Sequence, residues 1–123
     1  MANIADYVLD KALEVLDTEA DRIDITSQLA TTYTEATSTY SLGNSTSLAF
    51  GAPQNGDSSG RKVTSNIISN ASVTASGTAT HFAISDVSAT RLLATGALGT
   101  SQSVTSGNVF NLPAFDITIN DPS

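Results

Sequence analysis

The chain has one histidine, His81, and it stands close in sequence to Ser85 and Asp86, so an imidazole, a hydroxyl and a carboxylate occur together as hydrolytic chemistry would need. A triad is assembled by the fold and not by spacing, and no G-x-S-x-G elbow is present to expose a nucleophile. With 34 serines and threonines in the chain, some hydroxyl near His81 is expected by number alone, so His81 reads as a strand histidine. A second pattern, Gly51-Ala52-Pro53-Gln54-Asn55-Gly56-Asp57-Ser58, keeps the glycines and the final serine of a phosphate-binding loop but places Asp57 where the lysine belongs. A carboxylate there would repel phosphate, and Ser58-Ser59-Gly60 opens no helix whose N-terminus could hold an anion. A third, Asp17-Thr18-Glu19-Ala20-Asp21, spaces acids as a calcium loop does. It then puts Arg22 where the turn needs glycine and Gln28 where a bidentate glutamate belongs.

The remaining chemistry is thin. No cysteine is present, which excludes disulfides, thiolate metal sites and thiol nucleophiles, and a single histidine excludes multi-histidine metal sites. Twelve acids against five basic residues give a formal charge of −7, so a nucleic-acid grip of Lys and Arg is not expected. Eight of the acids (Asp6, Asp10, Glu14, Asp17, Glu19, Asp21, Asp24, Glu35) fall in the first 35 residues, on one helix and its exit and not on facing walls of a glycosidase cleft. Phe82, Phe110 and Phe115 alternate with aliphatic residues and read as core. Tyr33 and Tyr40, in a threonine-rich stretch, are the better candidates for a partner contact. Asn44-Ser45-Thr46 and Asn70-Ala71-Ser72 match the glycosylation sequon, as chance allows in such a chain. No catalytic, cofactor-binding or metal-binding residue is assigned, and no cofactor is expected.

These side chains need a scaffold, and the pattern gives one. Leu, Ile, Val and Phe total 29, enough for a packed core, and 123 residues fit a single domain spanning 1–123. Only 14% of residues are charged, low for an isolated domain and suited to a protein that works assembled. Ile4, Val8, Leu9, Ala12, Leu13, Val15 and Leu16 recur at helical spacing against Asp6, Asp10, Lys11, Glu14 and Asp17. This predicts an amphipathic helix over 3–17, with Asn3 as N-cap and Asp6 beside the positive end of its dipole. Its apolar stripe either covers the domain's own sheet or docks on a neighbouring subunit.

Beyond residue 20 the period becomes two. Arg22 to Thr26 alternates as a strand with one buried face, 31–41 has no clean period and reads as mostly irregular, 47–50 could form a short strand, and Gly51 to Gly60 reads as an exposed loop. Strands follow over 61–69, 71–75, 78–85, 90–95, 101–105, 108–112 and 115–119, with a turn at Asp86 to Ala89 and a break at Pro113. Seven or eight short strands after one helix predict a mainly β fold, an antiparallel β-sandwich or jelly roll over about 21–120. The start Met1 to Asp6 lacks a basic region, and no stretch reaches 18 apolar residues, so neither a signal peptide nor a membrane span is expected.

Several segments carry a likeness to known proteins. Ala5-Asp6-Tyr7-Val8-Leu9-Asp10, Thr32-Tyr33-Thr34-Glu35-Ala36-Thr37, Gly60-Arg61-Lys62-Val63-Thr64, Gly77 to Asp86, Ser88 to Gly96, Ser103 to Asn108 and Phe115 to Ile119 together resemble a family of small structural proteins of tailed bacteriophages. The resemblance spans nearly the whole chain, and each segment is a strand or turn signature without a chemical fingerprint. It implies a virion component made in the host cytoplasm, of the capsid decoration or cement type, with the major capsid protein and copies of itself as partners. The alternative is a tail or head-fibre component, or a glycan-binding jelly roll. The expected contact segments are the N-terminal helix, Thr31 to Ser41 and Gly51 to Gly60, because they interrupt the β pattern.

Overall fold

The computed structural model describes residues 4–120. Strands make up 48% of the described residues and every strand pairing among them is antiparallel, so the fold is mainly β with one N-terminal α-helix. That helix, α1 (Asp6–Glu19), begins and ends later than its periodicity suggests. Asn3 lies outside the described residues. Ala5 takes the cap position with no side-chain hydrogen bond, and Asp6 sits in the first turn. Leu9, Leu13 and Leu16, spaced by four and three, are buried and place α1 on the protein's own core, against the strand that contains Val63.

The strands in chain order are β1 (Arg22–Thr26), β2 (Ser41–Ser45), β3 (Gln54–Asn55), β4 (Arg61–Thr64), β5 (Ile68–Val73), β6 (Gly77–Asp86), β7 (Arg91–Val104), β8 (Val109–Leu112) and β9 (Asp116–Ile119). Six form a curled sheet in the order β7-β6-β1-β2-β5-β8, and three form a smaller sheet in the order β3-β4-β9. One apolar cluster joins them. Ile23, Ile25 and Ile84 from the large sheet, Val63 from the small one and Leu13 and Leu16 from α1 belong to the same core.

Four expectations about these elements need correction. First, Arg22 to Thr26 is buried on both faces, because residues 27–40 fold over its polar side. Asp24 and Thr26 are as inaccessible as Ile23. Second, the irregular stretch at 31–41 contains a π-helical turn, Glu35–Thr39, closed by the Tyr40 amide donating to the Glu35 carbonyl at 2.9 Å. Third, 47–50 forms no strand beyond a single bridge between Phe50 and Ser65. The Ala49 amide donates to Asn66 Oδ1, and Asn66 Nδ2 donates to the Ser47 carbonyl, so a side chain does what a ladder would have done. The strand lies earlier, at β2.

Fourth, the strands expected over 90–95 and 101–105 are one strand, β7, whose register shifts where Ala79 faces Gln102 and His81 faces Ala97. The shift falls at Leu98 to Ser101, the same place where the sequence pattern breaks. Just before the shift, Gly96 leaves room for the Phe82 ring that lies across it; an added Cβ would come within 2.6 Å and the ring would have to move. The break at Pro113 stands, as residues 113–115 carry the chain from β8 in one sheet to β9 in the other.

Candidate functional site

The structure separates the polar groups that the sequence places close together, and most of them make local structural contacts. His81 lies on β6 opposite Thr26 and Ala97, with Nδ1 2.8 Å from Thr80 Oγ1. The same Thr80 hydroxyl donates to the Ser27 carbonyl at 3.0 Å, so His81 sits in a local contact between β6 and the segment that follows β1. Ser85 is four residues further along the same strand, about 13 Å away at the strand rise, beyond hydrogen-bonding reach of His81. Its hydroxyl is buried without a hydrogen-bond partner among the described residues, as is that of Thr26. Asp86 accepts the Ser88 hydroxyl at 2.8 Å and the Ala89 amide at 3.3 Å, fixing the β6–β7 turn. The Ser88 hydrogen bond holds its carboxyl below the usual range.

The Gly51 to Gly60 segment is not a free loop throughout. Gln54 and Asn55 pair with Lys62 and Arg61, and the Gly56 amide donates to the Gly60 carbonyl at 3.0 Å, closing a hairpin that needs Gly60 at φ 70°. Asp57 meets Lys62 Nζ at 2.7 Å, so it faces a cation of its own chain. The acids that resemble a calcium loop separate: Asp21 accepts the Val87 amide at 2.9 Å and Glu19 lies 4.0 Å from Arg91. Among the described residues no three His, Asp or Glu side chains gather as a metal site.

Two arginines organise what is left. Arg22 grips Asp24 through Nε at 2.7 Å and Nη2 at 2.8 Å. Ser41 Oγ donates to Asp24 Oδ2 at 2.6 Å, and Nη2 also reaches the Thr37 carbonyl at 3.2 Å. The Asp24 hydrogen bond pushes the Arg22 pKa up, so the guanidinium stays charged although Asp24 is wholly buried. This pair ties the π turn to the sheet, with Tyr40, Ala30, Ala36, Ala83 and Leu92 packed beside it. Tyr33 and Tyr40, expected as contact aromatics, are therefore half-buried.

Arg61 is the second. It binds Asp10 of α1 through Nε at 2.7 Å and Nη2 at 3.3 Å, Asn55 Oδ1 through Nη1 at 2.7 Å, and the Pro53 carbonyl at 3.3 Å. Two of the three expected contact segments, the helix and the 51–60 hairpin, thus become one surface joined by Arg61, while the third is fastened elsewhere by Arg22. On that surface Ile4, just before α1, and Tyr7 and Val8 on it are 41%, 70% and 55% exposed, with Lys11 Nζ 5.3 Å from the Tyr7 ring. Phe110 is buried, whereas Phe82 and Phe115 meet with ring centroids 4.9 Å apart, tilted by 44°, and border an apolar pocket of about 160 Å³ with Leu98, Leu112 and Pro113.

Three features escaped the sequence reading. Arg22 and Asp24 share a strand face because they are two apart, a signal that was present. Thr32-x-x-Glu35 has the sequence of a capping box and forms half of one: Thr32 Oγ1 accepts the Glu35 amide at 3.1 Å, while Glu35 Oε1 accepts the Thr31 amide, one residue before the cap, at 2.8 Å. The pairing of Arg61 with Asp10, 51 residues away, left no local trace. No protein-family profile, curated protein or solved structure matches the chain.

Proposed function

We propose that the chain is a structural protein of a tailed-bacteriophage virion, a capsid decoration or cement protein that binds the outer shell and stabilises neighbouring capsomers. Its partners on this reading are the major capsid protein and copies of itself, and its place is the virion. The fold, read more finely, is a β-sandwich of the jelly-roll kind, supported by the two antiparallel sheets that share one apolar core.

The observation that carries the functional reading is the outward stripe of Ile4, Tyr7 and Val8. The inner face of α1 already packs on its own core through Leu9, Leu13 and Leu16, so the domain does not need the outer face for folding. An apolar stripe kept at the surface of a chain with charge −7, next to a hairpin pinned by Arg61, suits docking on another protein. The contact need not be strong per copy, since a symmetric shell multiplies it through many equivalent sites. The fibre or glycan-binding alternative asks for a row of exposed aromatics. Among the described residues Tyr7 is the one aromatic among the exposed large hydrophobic side chains.

The reading also assigns no reaction to the chain. His81, Asp86 and Asp57 supply strand, turn and ion-pair contacts, and Ser85 lies out of reach of His81 on the same strand. The experiment is to heat purified capsids lacking the protein, and to dilute them into low salt, with and without added protein. Capsids without it are expected to assemble but to burst at a lower temperature. Wild-type protein is expected to restore endurance, and a Tyr7→Ser, Val8→Ser double variant to fail to do so. Equal endurance with and without the protein contradicts cementing.

A further inference from the structure

We propose that the Asn55–Gly56 junction is a spontaneous modification site, an asparagine that deamidates when Arg61 lets go of it. The proposal is independent of the virion reading. Asn-Gly is the sequence in which the following backbone nitrogen meets least steric resistance in reaching the side-chain amide, and Asn55-Gly56 is the only such pair in the chain. In the step, the Gly56 nitrogen attacks Cγ of Asn55 and forms an N–Cγ bond. The Cγ–Nδ2 bond breaks, and Nδ2 leaves as ammonia with the proton from the Gly56 nitrogen. Water then opens the five-membered imide at either carbonyl, giving aspartate or isoaspartate.

Three contacts hold this chemistry back in the native fold. Asn55 Oδ1 accepts from Arg61 Nη1 at 2.7 Å, which stops Cγ from swinging onto the following nitrogen. The Gly56 amide is engaged with the Gly60 carbonyl at 3.0 Å. Asn55 is paired in an extended strand with Arg61 across from it. The restraint is slender. β3 has two residues and is the edge of its sheet, and Asn55 is exposed. Arg61 is also the residue that holds Asp10, so the orientation of the clamp depends on α1 being docked. Helix and amide share one guanidinium, and release of the helix loosens the amide.

The products differ in consequence. Aspartate at 55 leaves an acceptor for Arg61 with an added charge. Isoaspartate inserts a methylene into the backbone, and the two-residue ladder of Gln54 with Lys62 and Asn55 with Arg61 loses its register. A surface segment beside α1 would then be irreversibly opened in molecules whose helix had been displaced.

The test is incubation of the full chain at mildly alkaline pH, with peptide mapping for amide-to-acid conversion and isoaspartate at each asparagine. Wild type is compared in buffer and in urea, beside Asp10→Asn, Asp10→Ala and Asn55→Gln, with circular dichroism to confirm which variants fold. Conversion is expected first at Asn55, severalfold faster in urea than in buffer, and rising from wild type through Asp10→Asn to Asp10→Ala. Asn55→Gln is expected to remove it. Should Asp10→Ala fail to fold, the order of wild type, Asp10→Asn and urea still decides the matter. Equal rates in buffer and urea, equal rates in wild type and a folded Asp10 variant, or earlier conversion at another asparagine would overturn the proposal.

Discussion

Arg22–Asp24 and Arg61–Asp10 are the same chemical pair, a guanidinium holding a carboxylate through Nε at 2.7 Å, set in two different parts of the molecule. The first joins residues two apart on one strand, with the acid side chain wholly inaccessible. The second joins a strand to a helix across 51 residues, with the two side chains 17% and 27% exposed. Burial decides what each is worth. A carboxylate out of water must be fully partnered, and Asp24 is: Arg22 and Ser41 satisfy it while Arg22 anchors the π turn through Thr37. Asp10 remains in reach of water, so its pair fixes a position at little energy in either direction. The large sheet is thereby closed over by its own chain, and the helix side is left adjustable with apolar groups showing.

Breaking the buried pair should give the largest effect. Asp24→Ala strands a half-buried guanidinium and the Ser41 hydroxyl, and a loss of about 3–5 kcal/mol in urea unfolding is expected. A loss below about 1 kcal/mol would erase the distinction between the two regions. Leu13→Ala, at a site 1% exposed between helix and core, should cost about 3 kcal/mol, and Tyr7→Ser on the opposite face of the same helix should change stability by less than about 0.5 kcal/mol. Comparable losses would mean that the outer face of α1 is needed for folding. Asp10→Ala should cost no more than about 1 kcal/mol and lose most of its effect in high salt, which the Asp24 variant should not.

Acid should act on both regions gently. The Thr64 hydroxyl and Lys62 hold the Asp116 carboxyl below the ordinary range, the Thr31 amide and hydroxyl do so for Glu35, and the Ser88 hydroxyl for Asp86. A carboxyl with a lowered folded-state pKa contributes stability that is present above its unfolded value of about 4 and is lost as pH falls through the lower, folded value. Lys62, raised chiefly by its hydrogen bond to Asp57, contributes stability that is lost only as pH rises past roughly 10.4. Thermal unfolding is therefore expected to be nearly constant from about pH 5 to 9 and to fall below about pH 4.

The same contrast explains how much the residues disclosed. Period-two alternation marked most strands, and the leucine spacing marked α1, because both are local consequences of one buried face. The second buried face of β1 was hidden, since Asp24 looks like a solvent residue until the segment covering it is in place. The π turn was hidden for a related reason: threonines favour several backbone states, and the capping of Thr32 and Glu35 selects one only with the sheet behind it. The join between α1 and the β3–β4 hairpin depends on a long-range pair, which a single sequence does not encode in its spacing.

Quantitative mass spectrometry of purified tailed-phage virions, the place proposed for the protein, tests the central claim most directly. The expected result is that the protein is present in fixed proportion to the shell protein, at a copy number set by the capsomer lattice. Its absence from the particles, or its presence only at the level of tail components, would contradict the account.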